Sequence, residues 1–208
     1  MRGRRLSAPK PMIIDSHVHF GRIGHFDLGG SDLIRSMDKY GVDFGIVSNL
    51  EGAEFDSQLN LIEGESRVRQ IEANARTVAL VERYPARLKG LFWVKPHTEG
   101  HSYDVKDFVL QHKECLAGFK AHPFHSKLPF TDARYKPYIE TAQQNSLPFV
   151  VHTAVDEYSQ PEYVFDVARD HPDVDFVMVH MGLFSDHRSA TGYVAELPNL
   201  HGDTTWVD

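Results

Sequence analysis

Thirteen histidines are spread unevenly over these 208 residues, and several fall where apolar, strand-like runs come to an end. The segment MIIDSHVHF places Asp15, His17 and His19 at alternate positions. Alternate residues of a strand share a face, so all three side chains are predicted to point the same way. Two imidazoles at i,i+2 near the end of a parallel strand can converge on one ion, at about 2.0–2.1 Å for zinc. Burying the pair side by side without a shared ligand would be costly. Asp15 is read as the group that orients one of these rings through its other nitrogen, not as a ligand. His152 in PFVVHTA and His180 in VMVHMG each close an apolar run just ahead of small, turn-prone residues. That puts them at the carboxyl ends of strands, where parallel α/β folds build their sites. Lys120 in GFKAHPF interrupts another such run, and a buried lysine is rare unless paired or functional. An ion pair, a metal-bridging carbamate and a contact to an anionic substrate all remain open for it. His122, two residues on, and His97, ending FWVKPH, are candidates for lining a substrate pocket, with His125 following in the loop.

Other chemistries find little support. Gly29-Gly30-Ser31 lacks the Lys-Ser/Thr of a phosphate-cradling loop, and no G-x-G-x-x-G follows a strand. Ser16 and Ser185 have no nucleophile-elbow context, and Cys115 precedes a strand without an activating pattern. A formal charge of −7, from 22 Lys+Arg against 29 Asp+Glu, argues against a nucleic-acid footprint. A single cysteine cannot form an internal disulfide, which fits a reducing, cytoplasmic setting. No apolar run approaches the roughly 20 residues of a membrane span. The opening MRGRRLSAPKP is basic without an apolar stretch behind it, so it reads as a disordered arm over residues 1–11 and not as a secretory signal.

These residues need a frame that brings strand ends together. β-branched, apolar runs recur at 12–20, 43–50, 88–97, 116–123, 147–154, 175–182 and 199–207. Most are spaced as βαβ units are, at roughly 30 residues, with one longer gap between the second and third. The segments between them carry helical stripes: Val68, Ile71, Ala75 and Val78 over 66–84, Pro137 at a helix start, and Tyr163/Val167 with Val164/Ala168 over 161–170. The fifth and sixth runs are almost continuously apolar, as expected when both faces are covered. Alternating β and α with covered strands predicts a parallel α/β fold, a barrel or a doubly wound sheet, in one domain over 12–208.

IDSHVHF, GFKAHP, LPFVVHTA and FVMVHMG, in this order and at βα spacing, resemble the amidohydrolase superfamily. Within it the resemblance is to the amidohydrolase-related group of metal-dependent TIM-barrel hydrolases and decarboxylases. It implies a (β/α) barrel in which His17 and His19 are first-strand metal ligands and His152 the fifth-strand ligand. His180 is then the sixth-strand histidine, which binds a second metal in some members and positions or activates water in others. Lys120 matches the lysine carbamylated in dihydroorotases, which would allow a second ion; one ion is the first expectation. Zinc leads, with Mn, Fe and Ni as alternatives. The superfamily also carries an Asp at the end of an eighth strand. NLHGDTTWVD resembles the seventh strand instead, so the barrel is expected to be incomplete here, with seven strands and the eighth βα unit missing. Asp203 then matches the usual seventh-strand Asp.

The expected activity is metal-assisted hydrolysis of a small carboxylated or carbonyl-containing molecule, with the ion acidifying water and polarising the substrate oxygen. Non-oxidative decarboxylation, a lyase reaction, is the alternative, because the same ion can bind a substrate carboxylate. A non-catalytic, truncated relative is the third reading: a chain that pairs its open sheet edges with a second copy as a homodimer.

Overall fold

The computed structural model describes residues 11–207. The expected basic arm lies outside these residues except for Pro11, as does Asp208. Each of the seven apolar runs supplies a parallel strand: β1 (Ile14–Ile23), β3 (Phe44–Asn49), β4 (Leu88–Trp93), β5 (Leu116–Ala121), β6 (Phe149–Ala154), β7 (Phe176–Leu183) and β8 (Leu200–Gly202). A short β2 (Phe26–Leu28), not foreseen from the sequence, folds back antiparallel on the end of β1. The order is β2-β1-β3-β4-β5-β6-β7-β8. This is a TIM-type (β/α) sheet of eight mostly parallel strands that does not close, as the sequence predicts.

Helices α1 (Gly30–Tyr40), α2 (Gln70–Arg83), α3 (Tyr103–Gln111), α4 (Pro123–Ser126), α5 (Lys136–Asn145), α6 (Pro161–Asp170) and α7 (Arg188–Glu196) fill the connections. The stripe over 66–84 yields α2, which starts four residues late at Gln70. Both oxygens of Glu99 accept from the Gln70 N–H there, at 3.1 Å each, satisfying an N-terminal donor that a helix otherwise leaves orphaned. Residues 50–69, ahead of α2, account for the long gap between the second and third runs.

Strand alternation sorts the sheet into two faces. Phe92, Phe119, Phe149 and Phe176 point outward into the main core with residues of α3, α5 and α6, and Phe149 stacks on Phe119 at 5.4 Å. Inward, Leu91, Val150 and Val179 form an apolar layer with Ile46, Ala117 and Val177. Two residues further along their strands, Ser48, Trp93 and His152 occupy the next inward layer, toward the carboxyl ends. Lys120, paired in register with Trp93, joins them. The interior of this fold is thus packed in layers, apolar below and polar at the rim.

Two irregularities shape the rim. In β1 the register against β3 shifts between Asp15 and Val18, which breaks the simple alternation assumed from the sequence. In β7 alternation would turn His180 outward, alongside Met178. His180 (φ 64°) and Met181 (φ 49°) instead adopt left-handed backbone, and the β6–β7 register shifts past His152. Left-handed non-glycine residues are strained, and such strain collects at functional sites. Here it swings the His180 ring to 5.1 Å from the rings of both His17 and His152.

Candidate metal centre

The imidazoles of β1 lead the cluster. The Nε2 atoms of His17 and His19 lie 3.0 Å apart, and their rings meet edge to face at 4.7 Å. The opposite nitrogens face protein groups. His19 Nδ1 is 2.8 Å from Ser48 Oγ on β3. His17 Nδ1 faces Asp203 Oδ2 at 3.6 Å, too long for a hydrogen bond, and is buried with no hydrogen-bond partner among the described residues. His180 follows the same pattern, its Nδ1 donating to the Thr205 carbonyl at 2.8 Å, while Trp206 stacks on its ring at 5.6 Å.

Lys120 is fully buried, at 0% exposure, with Nζ 3.5 Å from His17 Nε2. No carboxylate lies within ion-pair distance of it among the described residues. Burial lowers its pKa to about 7 against the opposing pull of Asp203. Burial, followed by the Lys120 charge, also pushes His17 far below the usual imidazole range and His19 to about 3. His152 is driven down by the same two causes in the same order, and His180 by burial first. The rings are therefore neutral, the form that ligates metals.

The donor set fits a divalent transition ion. His17, His180 and Asp203 bring ligand-type atoms within 4.8 Å of one another, with His19 beside them, and the orphaned, buried His17 Nδ1 marks polar capacity that the protein alone does not satisfy.

Other sequence-derived candidates fare unevenly. Asp15 is a correction: the register shift leaves it exposed, and its Oδ1 accepts from the His17 backbone N–H at 3.1 Å, not from a ring. Asp203 stands where Asp15 was expected, beside the His17 ring. His122 lies within the cluster, stacked on His152 at 3.9 Å and on Trp93 at 5.9 Å. His97 is drawn aside: its Nδ1 donates to the Ser126 carbonyl at 2.9 Å, and its ring meets Phe55 at 4.9 Å.

The 50–62 loop carries no comparable signal in the sequence. Its Glu54 is 2% exposed; Oε1 accepts from Thr98 N at 2.5 Å and Thr98 Oγ1 at 2.8 Å, and Oε2 has no partner among the described residues. Burial raises the Glu54 pKa against the hydrogen bonds from Ser126 and Thr98. A carboxyl shifted upward contributes stability below its unfolded pKa and loses it as pH rises through the folded value. Glu54→Gln, which keeps the Oε1 acceptor and removes the charge, is therefore expected to match the wild type near pH 4 and exceed its stability at pH 8. Urea unfolding at the two pH values checks this.

Histidines, a carboxylate and a buried lysine gather at the carboxyl ends of the parallel strands, the rim on which TIM-type barrels carry their sites. The amidohydrolase family profile matches residues 14–208, and the chain belongs to that family. No curated protein matches the sequence. Among solved structures, 5-carboxyvanillate decarboxylase from Novosphingobium aromaticivorans, with bound manganese, is similar at 13% identity and a TM-score of 0.64, over 82% of this chain and 66% of that one. 2,6-Dihydroxybenzoate decarboxylase from Rhizobium is similar at 14% identity and 0.64, over 95% and 81%. 4-Oxalomesaconate hydratase from Rhodopseudomonas palustris is similar at 16% identity and 0.61, over 93% and 74%. These likenesses establish the shared fold. No helix among the described residues is long and apolar enough to cross a membrane.

Proposed function

We propose that the chain is a divalent-metal enzyme that hydrolyses a small carboxylated or carbonyl-containing molecule. The observation that carries this reading is the gathering of imidazoles about His17. His19 and His180 are hydrogen-bonded through Nδ1 to Ser48 and Thr205, His17 Nδ1 lies unbonded 3.6 Å from Asp203, and the Nε2 atoms of His17 and His19 meet at 3.0 Å. A ring whose Nδ1 is engaged by the protein keeps its Nε2 lone pair for a ligand. On this reading His17, His19 and His152 hold the ion, and Asp203 orients His17. Zinc and manganese are the first ions to test. When bound, the ion supplies Lewis-acid polarisation of a substrate oxygen and acidifies water.

The chain's own groups do the rest. His180, neutral and tethered through Nδ1, has Nε2 as its basic nitrogen and accepts a proton from water during attack on the substrate. Lys120 offers a buried cation to a substrate carboxylate, or, once carbamylated, an oxygen pair for a second ion. His97 and His122 were expected to line the pocket; of the two, only His122 remains beside it.

Decarboxylation is the second reading, favoured by Lys120 as a carboxylate anchor and by the activities of two of the structural neighbours. Both readings are tested by assaying the zinc- and manganese-loaded chain on small carboxylated esters and amides, and for CO2 release from hydroxybenzoates. His180→Gln is expected to lower turnover by about 10²–10⁴-fold at unchanged metal content. No turnover of any of these by a chain that binds metal would overturn the proposal.

A further inference from the structure

His19 and His180 are each held by a hydrogen bond at Nδ1 and His17 has Asp203 beside it at 3.6 Å, whereas the His152 ring makes no hydrogen bond among the described residues. Its surroundings are aromatic. The His122 ring lies flat against it, 3.9 Å between centroids and 13° between planes, and Trp93 stacks on His122 at 5.9 Å and 19°. We propose that His122 is a positioning residue that fixes the plane of His152 by stacking, and that His125 holds His122 in place. This deepens the metal-centre reading and rests on it for its effect on the ion.

His125 is well placed as the hook. Its ring is 4.3 Å from that of His122, and its Nδ1 donates to the Phe55 carbonyl at 2.6 Å. Its own carbonyl accepts from Glu54 N at 3.2 Å and Phe55 N at 2.9 Å. Three hydrogen bonds thus tie this residue to the 50–62 loop, which Glu54 anchors in turn on Thr98. The chain of contact runs from that loop through His125 and His122 to His152. His122 Nδ1 is buried without a hydrogen-bond partner among the described residues, so the ring works by its face and not through that nitrogen. A ring that donates its lone pair to a cation becomes electron-poor, and a neutral aromatic face stacked on it favours that state.

The stacking role makes an unusual demand: phenylalanine should replace His122, and alanine should not. Cobalt(II) titration of the metal-free full chain, followed by its visible spectrum, is expected to show affinity weakened about 10–100-fold in His122→Ala, the range for groups that orient a ligand. His122→Phe should stay within threefold of the wild type with an unaltered spectrum. His125→Ala should weaken binding in the same direction. If His122→Phe is as weak as His122→Ala, or if neither differs from the wild type, the proposal is overturned. A metal-independent arm separates it from the parent reading: in the apo protein the His152 ring protons should be displaced upfield by the stack. That displacement should vanish in His122→Ala and persist in His122→Phe. A wild type that binds no cobalt but keeps this pattern refutes the metal centre and retains the positioning role; absence of the pattern refutes the positioning role itself.

Discussion

Replacing His17 with alanine is expected to abolish tight divalent-metal binding and, with it, the metal-dependent part of the chain's stability. His17 lies beside His19, His180, Lys120 and Asp203. Its Nε2 faces His19 at 3.0 Å and Lys120 at 3.5 Å, and its Nδ1 faces Asp203 at 3.6 Å. Losing a group that merely orients a ligand costs about 10–100-fold in affinity, so losing this ring should cost more than about 100-fold. An ion present at about 1,000 times its Kd stabilises a fold by about 4 kcal/mol. For a domain of this size that is roughly 8–16 °C in Tm. The wild type should gain such a shift on adding zinc or manganese and lose it to a chelator; His17→Ala should show neither.

Lys120→Met is expected to act in the opposite direction on the metal-free protein. An amine at 0% exposure without a carboxylate in ion-pair reach holds its proton less tightly than one in water. A pKa lowered from 10.5 to about 7 corresponds to a destabilisation on the order of 5 kcal/mol at neutral pH, at about 1.4 kcal/mol per unit. Methionine has nearly the same length and no charge to desolvate. The sign with pH follows from proton uptake: between pH 7 and 10.5 the unfolded chain holds a proton that the folded chain refuses. Wild-type apo stability should therefore rise as pH climbs through that window. Lys120→Met should start higher at pH 7 and lose the slope, which denaturant unfolding in chelator at pH 7, 8.5 and 10 would reveal. If Lys120 is instead carbamylated, the wild type should carry the mass of one added CO2 and bind two ions, and Lys120→Met should bind one.

The frame of the molecule was readable because its signal is repeated. Seven apolar runs, most of them at βα spacing, each became a strand, and the helix expected over 66–84 became α2, with Val78 on its buried face. The strand-end histidines were readable for the same reason, since an imidazole closing a buried run has few places to go. What escaped the sequence was local backbone geometry. Alternation along β1 gave Asp15 the same face as His17, and a register shift took it away. Alternation along β7 would have turned His180 out of the site, and left-handed backbone at His180 and Met181 brings it in. Asp203 was matched to its strand but given no task, because its approach to His17 depends on how β8 pairs with β7, a contact 186 residues away along the chain. The stack of Trp93, His122 and His152 likewise joins β4, the turn after β5, and β6, and leaves no periodic trace. The hairpin strand β2, only three residues long, is too short to show a pattern.

Metal binding by the purified, metal-free chain tests the central claim most directly. Zinc or manganese titrated by calorimetry into the wild type, His17→Ala, His152→Ala and Asp203→Asn separates ligands from the group that orients them. The account predicts tight binding in the wild type, loss in His17→Ala and His152→Ala, and binding that survives in Asp203→Asn but is weakened about 10–100-fold. Stoichiometric binding that persists in His17→Ala, or a wild type that takes up neither ion, would contradict it.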